Sequence, residues 1–347
     1  MVAATRAEDA RVPAIEHRLA EAMRLPPLLL WIAATGIVVV LCAAWHNATG
    51  AWRGLDVDGQ PFWQTSWRLE IVFAAILGYV FACGGWIVRS VRRDLDALAP
   101  VLAIDPPELA AERTGVGCFS RSALLAAGVG GVAVGIAINS AVNAILPADS
   151  VALQDRLWRL VRDVTIWTLA MRLIVVVIGS SRRVSRLSER AARIDLLDLR
   201  GLAPLARIGL RSALAFALAA SMIAAMAGDA QTLPVTLVSM AIVGAVGAFT
   251  VLLPVLGVHR AIRRAKDAEL VAVRAAIARA RTAALAGSGE EATRLGGLLA
   301  FEARIAGVGE WPFDLGTFLR FAAFLALPLG SWIAGAIVDW MVTRALG

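Results

Sequence analysis

The sequence predicts an all-α, polytopic helical membrane protein with about seven transmembrane helices and a helical hairpin outside the membrane. Hydrophobic residues make up 59% of the 347 residues, whereas soluble domains contain roughly 45–50% apolar residues. Several apolar runs reach the roughly 20 residues that cross about 30 Å of hydrocarbon. Arginines are concentrated in alternate connections between these runs, which is typical of topology signals.

The first 26 residues form a polar segment before the first apolar run. Ile15, Leu19 and Ala22 recur at helical spacing, and Pro26-Pro27 ends the pattern. This predicts a short amphipathic helix in 1–26 that lies on the membrane surface or packs on another cytoplasmic element. A loosely ordered tail is the alternative.

Seven apolar runs are read as spans, of which the fifth is short. Six of them form a predicted bundle within 27–258, and the seventh lies within 317–347 with the C-terminus. The predicted spans are 27–44, 71–88, 123–146, 157–179, 213–227, 233–258 and 318–342.

Arginine-rich connections set the predicted orientation. They are the loops 89–121 and 180–212 and the segment 259–316, while the alternate loops carry few basic residues. The positive-inside rule therefore predicts a cytoplasmic N-terminus and, with seven spans, a periplasmic C-terminus. Because Lys266 is the only lysine and alanine is abundant, we expect a bacterial inner (plasma) membrane protein from a GC-rich genome.

The segment 259–316 is the one sizeable part predicted outside the membrane. Residues 259–285 form an Arg-rich helix with a short coiled-coil seam, made by Leu270, Val273, Ile277, Ala280 and Ala284. Gly287-Ser288-Gly289 breaks it, and 291–308 forms a second helix. Together they predict an antiparallel cytoplasmic hairpin. The alternative is that the two helices open and zip with those of neighbouring subunits, and the sequence does not choose between these arrangements.

A polar cluster is predicted between the third and fourth spans. A charged residue at the bilayer centre costs roughly 2.5–3.5 kcal/mol even on the insertion scale, so these residues need a partner or water. One side of the fourth span carries Arg162, Thr165, Thr168 and Arg172, with Asp163 facing nearly the opposite way; the third span offers Asn139, Ser140 and Asn143 at a similar depth.

Two interpretations of this cluster remain open. It is the wall of an anion-attracting vestibule or pore, or it holds the two helices together. In the second case Asn139 and Asn143 satisfy Arg162 and Asp163, and Arg172 reaches out to the inner interface.

Small residues in the third span favour close helix packing. Gly131 and Gly135 have the G-x-x-x-G spacing that lets two helices approach. This pattern favours packing over a hinge or gate.

The sequence lacks the residues that several classes of function require, namely metal or cofactor binding, ion-coupled transport and catalysis. His17, His46 and His259 lie outside the predicted spans, and Cys42 and Cys83 have no metal-ligand spacing. No mid-membrane carboxylate, phosphate-binding loop or hydrolase motif is present in the sequence. We therefore expect no metal, no cofactor, no catalytic residue and no enzyme. The basic residues behind the net charge of +7 lie between apolar runs, which argues against nucleic acid as a partner.

Two stretches resemble an uncharacterised family of polytopic bacterial inner-membrane proteins. They are RIDLLDLRGLAPLARIGLR at 193–211 and EWPFDLGTFLRFAAFLALPLGSWIAG at 310–335. The resemblance implies a common architecture and carries over no catalytic or binding residue.

The function expected first is an oligomeric ion channel or passive transport protein, with a pore lined by the third and fourth spans. It depends on the buried arginines, the lack of coupling carboxylates and cytoplasmic helices suited to a homo-oligomer. The alternative is a membrane sensor or scaffold subunit that acts through 259–310 on a cytoplasmic partner protein. Both place the chain in a lipid bilayer.

Overall fold

The computed structural model describes residues 11–50, 62–100, 104–145, 153–191, 203–224, 233–286 and 289–309, with a few isolated positions besides. Within these residues the fold consists of nine helices and one two-stranded sheet. The helices are α1 (Ile15–Ala22), α2 (Pro27–Thr49), α3 (Phe62–Leu98), α4 (Pro106–Gly115), α5 (Arg121–Ile145), α6 (Leu153–Ala191), α7 (Ala203–Ala224), α8 (Leu233–Leu285) and α9 (Gly289–Ala306); the strands are β1 (Arg11–Pro13) and β2 (Cys118–Ser120).

Five helices are long and apolar enough to cross a membrane, which agrees with a helical membrane protein. The candidate spans are Pro27–Thr49, Leu69–Leu98, Arg121–Ala144, Leu153–Leu187 and Arg207–Ala224. The predicted span 233–258 corresponds to a shorter apolar stretch of α8, Thr236–Thr250. The predicted span 318–342 lies outside the described residues apart from isolated positions, so the count of seven stays a prediction.

The predicted loops 89–121 and 180–212 are in large part helical. The first contains the end of α3 and all of α4, and the second contains the last turns of α6 and the start of α7. The apolar run marks only where a helix is buried in lipid, whereas arginine and alanine continue a helix well beyond it. Arg183, in one of these extensions, pairs with Glu112 of α4 at 2.6 Å.

The described residues are almost entirely helical, which agrees with the all-α prediction, and one small sheet is added to the helices. β1 pairs antiparallel with β2, so that Arg11 lies opposite Ser120 and Pro13 opposite Cys118. Strands of three residues are too short to show a two-residue periodicity in the sequence. α1 follows β1 and packs on α3, where Glu21 pairs with Arg92 at 2.8 Å. The N-terminal helix therefore packs on another element of the protein.

α3 is the central helix of the bundle. In its most apolar window 61% of the residues are buried inside the protein, compared with 11% in α2. It contacts α1, α2, α6 and α7, and Tyr79 donates a hydrogen bond to the carbonyl oxygen of Ala215 in α7 at 2.7 Å. Residues on α3 can therefore meet partners from several helices.

Glycines bring α5 and α6 into direct backbone contact. A Cβ added to Gly135 would lie 2.6 Å from Val164 Cα, and one added to Gly131 would lie 2.7 Å from the Trp167 carbonyl oxygen. A larger residue at either position would push the two antiparallel helices apart. The contact agrees with the packing role that the G-x-x-x-G spacing predicts.

α8 and α9 form an antiparallel hairpin. The 53 residues of α8 extend about 80 Å at 1.5 Å per residue, and its apolar stretch, Thr236–Thr250, occupies only the first part of that length. α9 packs back on the part beyond that stretch. Lys266 donates to the Val308 carbonyl oxygen at 2.9 Å, and Arg274 pairs with Glu302 at 2.7 Å.

Candidate functional site

A buried polar cluster lies where α2, α3, α5 and α6 meet. We call it the Glu70 cluster; its members are Cys42, His46, Glu70, Asn139, Asn143, Asp155, Trp158, Arg159, Arg162 and Asp163. Its residues come from the last turns of α2, the first turns of α6, the last turns of α5 and the start of the apolar part of α3. The cluster therefore lies toward one end of the bundle, opposite the α8–α9 hairpin.

Glu70 is the centre of the cluster and is only 8% exposed. One carboxylate oxygen, Oε1, accepts a hydrogen bond from Arg162 Nη1 at 2.7 Å. The other, Oε2, accepts from Trp158 Nε1 at 3.2 Å and from Cys42 Sγ at 3.5 Å. A buried carboxylate needs this degree of hydrogen bonding to offset its lost hydration.

Arg162 is held from three directions. Besides the bond to Glu70, its Nε donates to Asp163 Oδ1 at 3.1 Å, and its guanidinium carbon lies 3.5 Å from the centroid of the Phe73 ring. A guanidinium over an aromatic face gains cation–π attraction. The charge at this depth is thus paired inside the protein.

Asparagines on α5 extend the network. Asn139 donates to Asp163 Oδ2 at 3.2 Å and accepts from Asn143 Nδ2 at 2.9 Å. Asn143 in turn accepts from Arg159 Nη2 at 3.4 Å. A continuous chain of polar contacts therefore runs from Glu70 on α3, through α6, to the last turns of α5.

α2 contributes a cysteine and a histidine from successive turns of one face. Cys42 and His46 are each 1% exposed. His46 Nδ1 lies 3.8 Å from Asp155 Oδ1, and the imidazole meets the Trp158 ring edge-on at 6.0 Å. His46, predicted to lie outside the spans, belongs to the helix of the candidate span Pro27–Thr49.

α2 runs beyond the predicted end of its span because its final turns pack on α6. Trp45 stacks on Trp158 with ring centroids 5.8 Å apart. Gln154 donates to the carbonyl oxygen of Thr49 at 3.3 Å, which gives one of the last carbonyls of α2 a partner. These tertiary contacts are invisible to a reading of hydropathy alone.

Four of the eight residues predicted for the polar cluster come together, namely Asn139, Asn143, Arg162 and Asp163. Asn139 meets Asp163 as expected, but the main partner of Arg162 is Glu70. Asp163, expected to face away from Arg162, is reached by the long arginine side chain.

The other four residues lie apart. Ser140 and Thr165 are exposed on the bundle surface, and the Thr165 hydroxyl donates to its own helix. Thr168 lies against Gly131 at the α5–α6 contact. Arg172 Nη1 lies 3.5 Å from the Leu124 carbonyl oxygen, near the start of α5.

Sequence reasoning missed six members of the cluster, namely Cys42, His46, Glu70, Asp155, Trp158 and Arg159. The spacing of Cys42 and His46, four residues apart, places both on one helix face, and this signal becomes visible once α2 extends to Thr49. Nothing local to Glu70 indicates its partners, because they come from helices far along the chain.

Three members of the cluster bring ligand atoms close enough together to share a metal ion. One ligand atom each from Cys42, His46 and Glu70 lie within 4.8 Å of one another, and all three residues are buried. Among the residues that the structure describes, no second group of three or more His, Cys, Asp or Glu side chains lies close enough to share an ion. Spacing along the chain predicts no metal site, because the third ligand, Glu70, comes from a different helix than Cys42 and His46.

A second buried ion pair lies at the other end of α3. Asp94 is 3% exposed and pairs with Arg211 of α7, with Arg207 Nε 4.0 Å from its other oxygen. About 24 residues separate it from Glu70, or about 36 Å along the helix. The two ends of α3 are therefore each anchored by a buried carboxylate.

Comparison of the chain with protein-family models, with curated proteins and with solved structures finds no match.

Proposed function

We propose that this protein is a membrane sensor or scaffold subunit. The Glu70 cluster lies at one end of the bundle, and the α8–α9 hairpin at the other end acts on a partner protein. The two ends communicate through α6. The competing function is an ion channel or passive transport protein.

The continuity of α6 is the observation that carries the proposal. α6 is one helix of 39 residues, about 58 Å long at 1.5 Å per residue. Its first turns carry Asp155 and Arg162, and its far end packs on α8 just where α8 leaves the apolar stretch. There a Cβ added to Gly257 would lie 3.1 Å from Ser185 Cβ. A shift of α6 at the Glu70 cluster would therefore be passed to the base of the hairpin.

The hairpin offers a surface suited to a partner protein. Val271, Leu285 and Leu299 are 69%, 78% and 49% exposed, on the part of the chain that extends beyond the apolar stretch of α8. α8 also carries the exposed arginines Arg274, Arg279 and Arg281. Apolar side chains among basic ones fit a partner with an apolar and acidic surface.

A pore between the third and fourth spans is less well supported. The charges expected to line water are paired with one another in the Glu70 cluster. Gly131 and Gly135 bring the two helix backbones together, which leaves no gap between α5 and α6 for a permeant ion. The outward positions of α5 that the structure describes include Leu125, Val129 and Ile136, which are apolar and suited to lipid.

We further propose a bacterial inner-membrane location with seven spans, the hairpin in the cytoplasm and the C-terminus in the periplasm. The hairpin end carries Arg92, Arg183, Arg207 and Arg211 as well as the Arg-rich part of α8. The positive-inside rule supports this orientation. It puts the Glu70 cluster near the periplasmic side.

The test measures whether the two ends are coupled. The full-length protein in nanodiscs is compared with Arg162→Met by hydrogen–deuterium exchange of α8 and α9. We expect Arg162→Met to raise exchange in 259–309, although Arg162 lies about 35 Å along α6 from Ser185. The matched control is Arg182→Met, which removes an exposed arginine from the same helix and should leave the hairpin unchanged. Altered exchange at α6 with none in 259–309 would contradict coupling.

A flux assay separates the two hypotheses. Liposomes containing the protein and an ion gradient should leak no faster than protein-free liposomes. A conductance that Arg162→Met changes would favour the channel and overturn the sensor proposal.

A further inference from the structure

We propose that Cys42, His46 and Glu70 form a binding site for one Zn²⁺ ion. The inference deepens the proposed function, because it names the ligand class that the Glu70 cluster would sense. That sensory role rests on the proposed function, whereas binding of the ion does not.

The three side chains converge from two neighbouring helices. Cys42 and His46 project from successive turns of α2, and Glu70 meets them from α3. The bond lengths of tetrahedral zinc place its ligand atoms about 3.3–3.6 Å apart. Cys42 Sγ and Glu70 Oε2 are already 3.5 Å apart, and the ligand atoms of the whole group lie within 4.8 Å. Side-chain rotation alone closes a difference of this size.

The ligand types select the metal. A thiolate, an imidazole and a carboxylate are the three side-chain ligands found in zinc sites. Hard ions such as Mg²⁺ and Ca²⁺ prefer sets made only of oxygens. Three protein ligands leave one position of a tetrahedron open to water or another small ligand.

A second layer of residues supports this set. An ion on Nε2 of His46 would leave Nδ1 to donate to Asp155, whose Oδ1 lies 3.8 Å away. Carboxylates in this position fix the ring and its tautomer at metal sites. Arg162 and Trp158 already orient the Glu70 carboxylate.

The charge balance suits a buried site. Zn²⁺ with one thiolate and one carboxylate is electrically neutral. Binding requires the Cys42 thiol to release its proton, so one proton leaves for each ion bound. Since one Zn²⁺ enters for each proton that leaves, binding adds one positive charge, which balances the excess of three carboxylates (Glu70, Asp155, Asp163) over two arginines (Arg159, Arg162) in the Glu70 cluster.

The site is also near an end of the bundle. His46 lies one turn before the end of α2 at Thr49, and Glu70 lies at the start of the apolar stretch of α3. An ion from the aqueous phase on that side therefore has only one or two helical turns to pass.

The first experiment measures metal stoichiometry on the full-length protein. Protein in nanodiscs is stripped with a chelator, dialysed against Zn²⁺, Mg²⁺ or Ca²⁺ and analysed by mass spectrometry of the metal. One bound Zn²⁺ and no retained Mg²⁺ or Ca²⁺ is expected. X-ray absorption of the zinc-loaded protein should show one sulfur at about 2.3 Å with nitrogen or oxygen at about 2.0–2.1 Å.

Matched variants locate the ion. Cys42→Ser and His46→Gln should each weaken Zn²⁺ binding at least tenfold. Cys83→Ser and His259→Gln should not, because Cys83 bonds to Tyr79 instead and His259 lies on α8. Zinc without a sulfur ligand in the wild-type protein, or zinc retained equally by Cys42→Ser, would overturn the site. The absorption measurement needs no variant, so a variant that fails to fold cannot hide the answer.

Hairpin exchange with and without Zn²⁺ separates this inference from the proposed function. Zinc that binds and alters exchange in 259–309 supports both. Zinc that binds and leaves the hairpin unchanged keeps the site and refutes the sensing role. If no zinc binds but Arg162→Met still alters the hairpin, the site falls and the proposed coupling stands.

Discussion

Replacing Arg162 by methionine tests whether the Glu70 cluster stabilises the bundle. The side chain is 10% exposed and pairs with Glu70 at 2.7 Å and with Asp163 at 3.1 Å. Methionine keeps much of the side-chain volume and removes the positive charge. Two carboxylates then remain buried without their guanidinium.

The expected cost follows from the pairing. Unit charges about 4 Å apart attract by about 4 kcal/mol at an effective dielectric constant of about 20. Removing one partner of a buried pair typically costs about 3–5 kcal/mol, because the other charge stays uncompensated. The contact with Phe73, worth about 0.5–2 kcal/mol, is lost in the same step and is included in this range, because the whole guanidinium is removed. We expect Arg162→Met to lower the free energy of unfolding by about 3–5 kcal/mol.

Unfolding in mixed micelles, followed by the helical circular dichroism signal, measures this loss. The control Arg182→Met, at an exposed position of the same helix, should stay within about 0.5 kcal/mol of wild type. The double variant Arg162→Met/Glu70→Gln should recover part of the loss, since it removes one of the stranded carboxylates. A loss below about 1 kcal/mol, or no recovery in the double variant, would refute the reasoning.

Two further predictions use matched positions. Gly135→Ala should destabilise the protein by about 1–3 kcal/mol in the same unfolding assay, because its Cβ would lie 2.6 Å from the α6 backbone. The control Gly128→Ala, whose Cβ would have nothing within 4 Å, should be nearly neutral. Equal effects of the two substitutions would contradict close α5–α6 packing. Asp94→Asn should lower the free energy of unfolding by about 1–3 kcal/mol, since it leaves the half-buried Arg211 without its carboxylate partner. Asp96→Asn, which breaks an exposed ion pair, should lower it by less than about 0.5 kcal/mol. A larger loss for Asp96→Asn than for Asp94→Asn would contradict the burial of Asp94.

The features that the sequence predicted well are those determined by residues close together in the chain. Apolar runs identify the candidate spans because hydrocarbon requires a minimum length of helix. Gly131 and Gly135 identify a packing face because small residues at this spacing serve few other purposes in a membrane. Asn139 and Asp163 were matched by depth alone, which suffices when two antiparallel helices are joined by a short connection.

The features that sequence missed depend on pairings between distant segments. Glu70 pairs with Arg162, which lies 92 residues away in the sequence, and no local pattern of residues predicts a contact at that separation. β1 and β2 pair across more than 100 positions, and each is too short to be recognised alone. His46 lies in a polar stretch that hydropathy assigns to a loop, whereas stacking of Trp45 on Trp158 keeps that stretch helical.

The composition of the Glu70 cluster itself bears on the sensor proposal. Buried ion networks gain little net stability over apolar packing, because desolvation offsets most of the attraction. A network of this kind is therefore sensitive to one additional charge. In the proposed sensor, Zn²⁺ binds Glu70 through Oε2, while Arg162 orients the carboxylate through Oε1. The ion draws negative charge away from Oε1 and so weakens the Arg162 hydrogen bond. Weakening that bond frees α6 at its first turns, and the rigid helix carries the shift to Ser185 and the base of the hairpin.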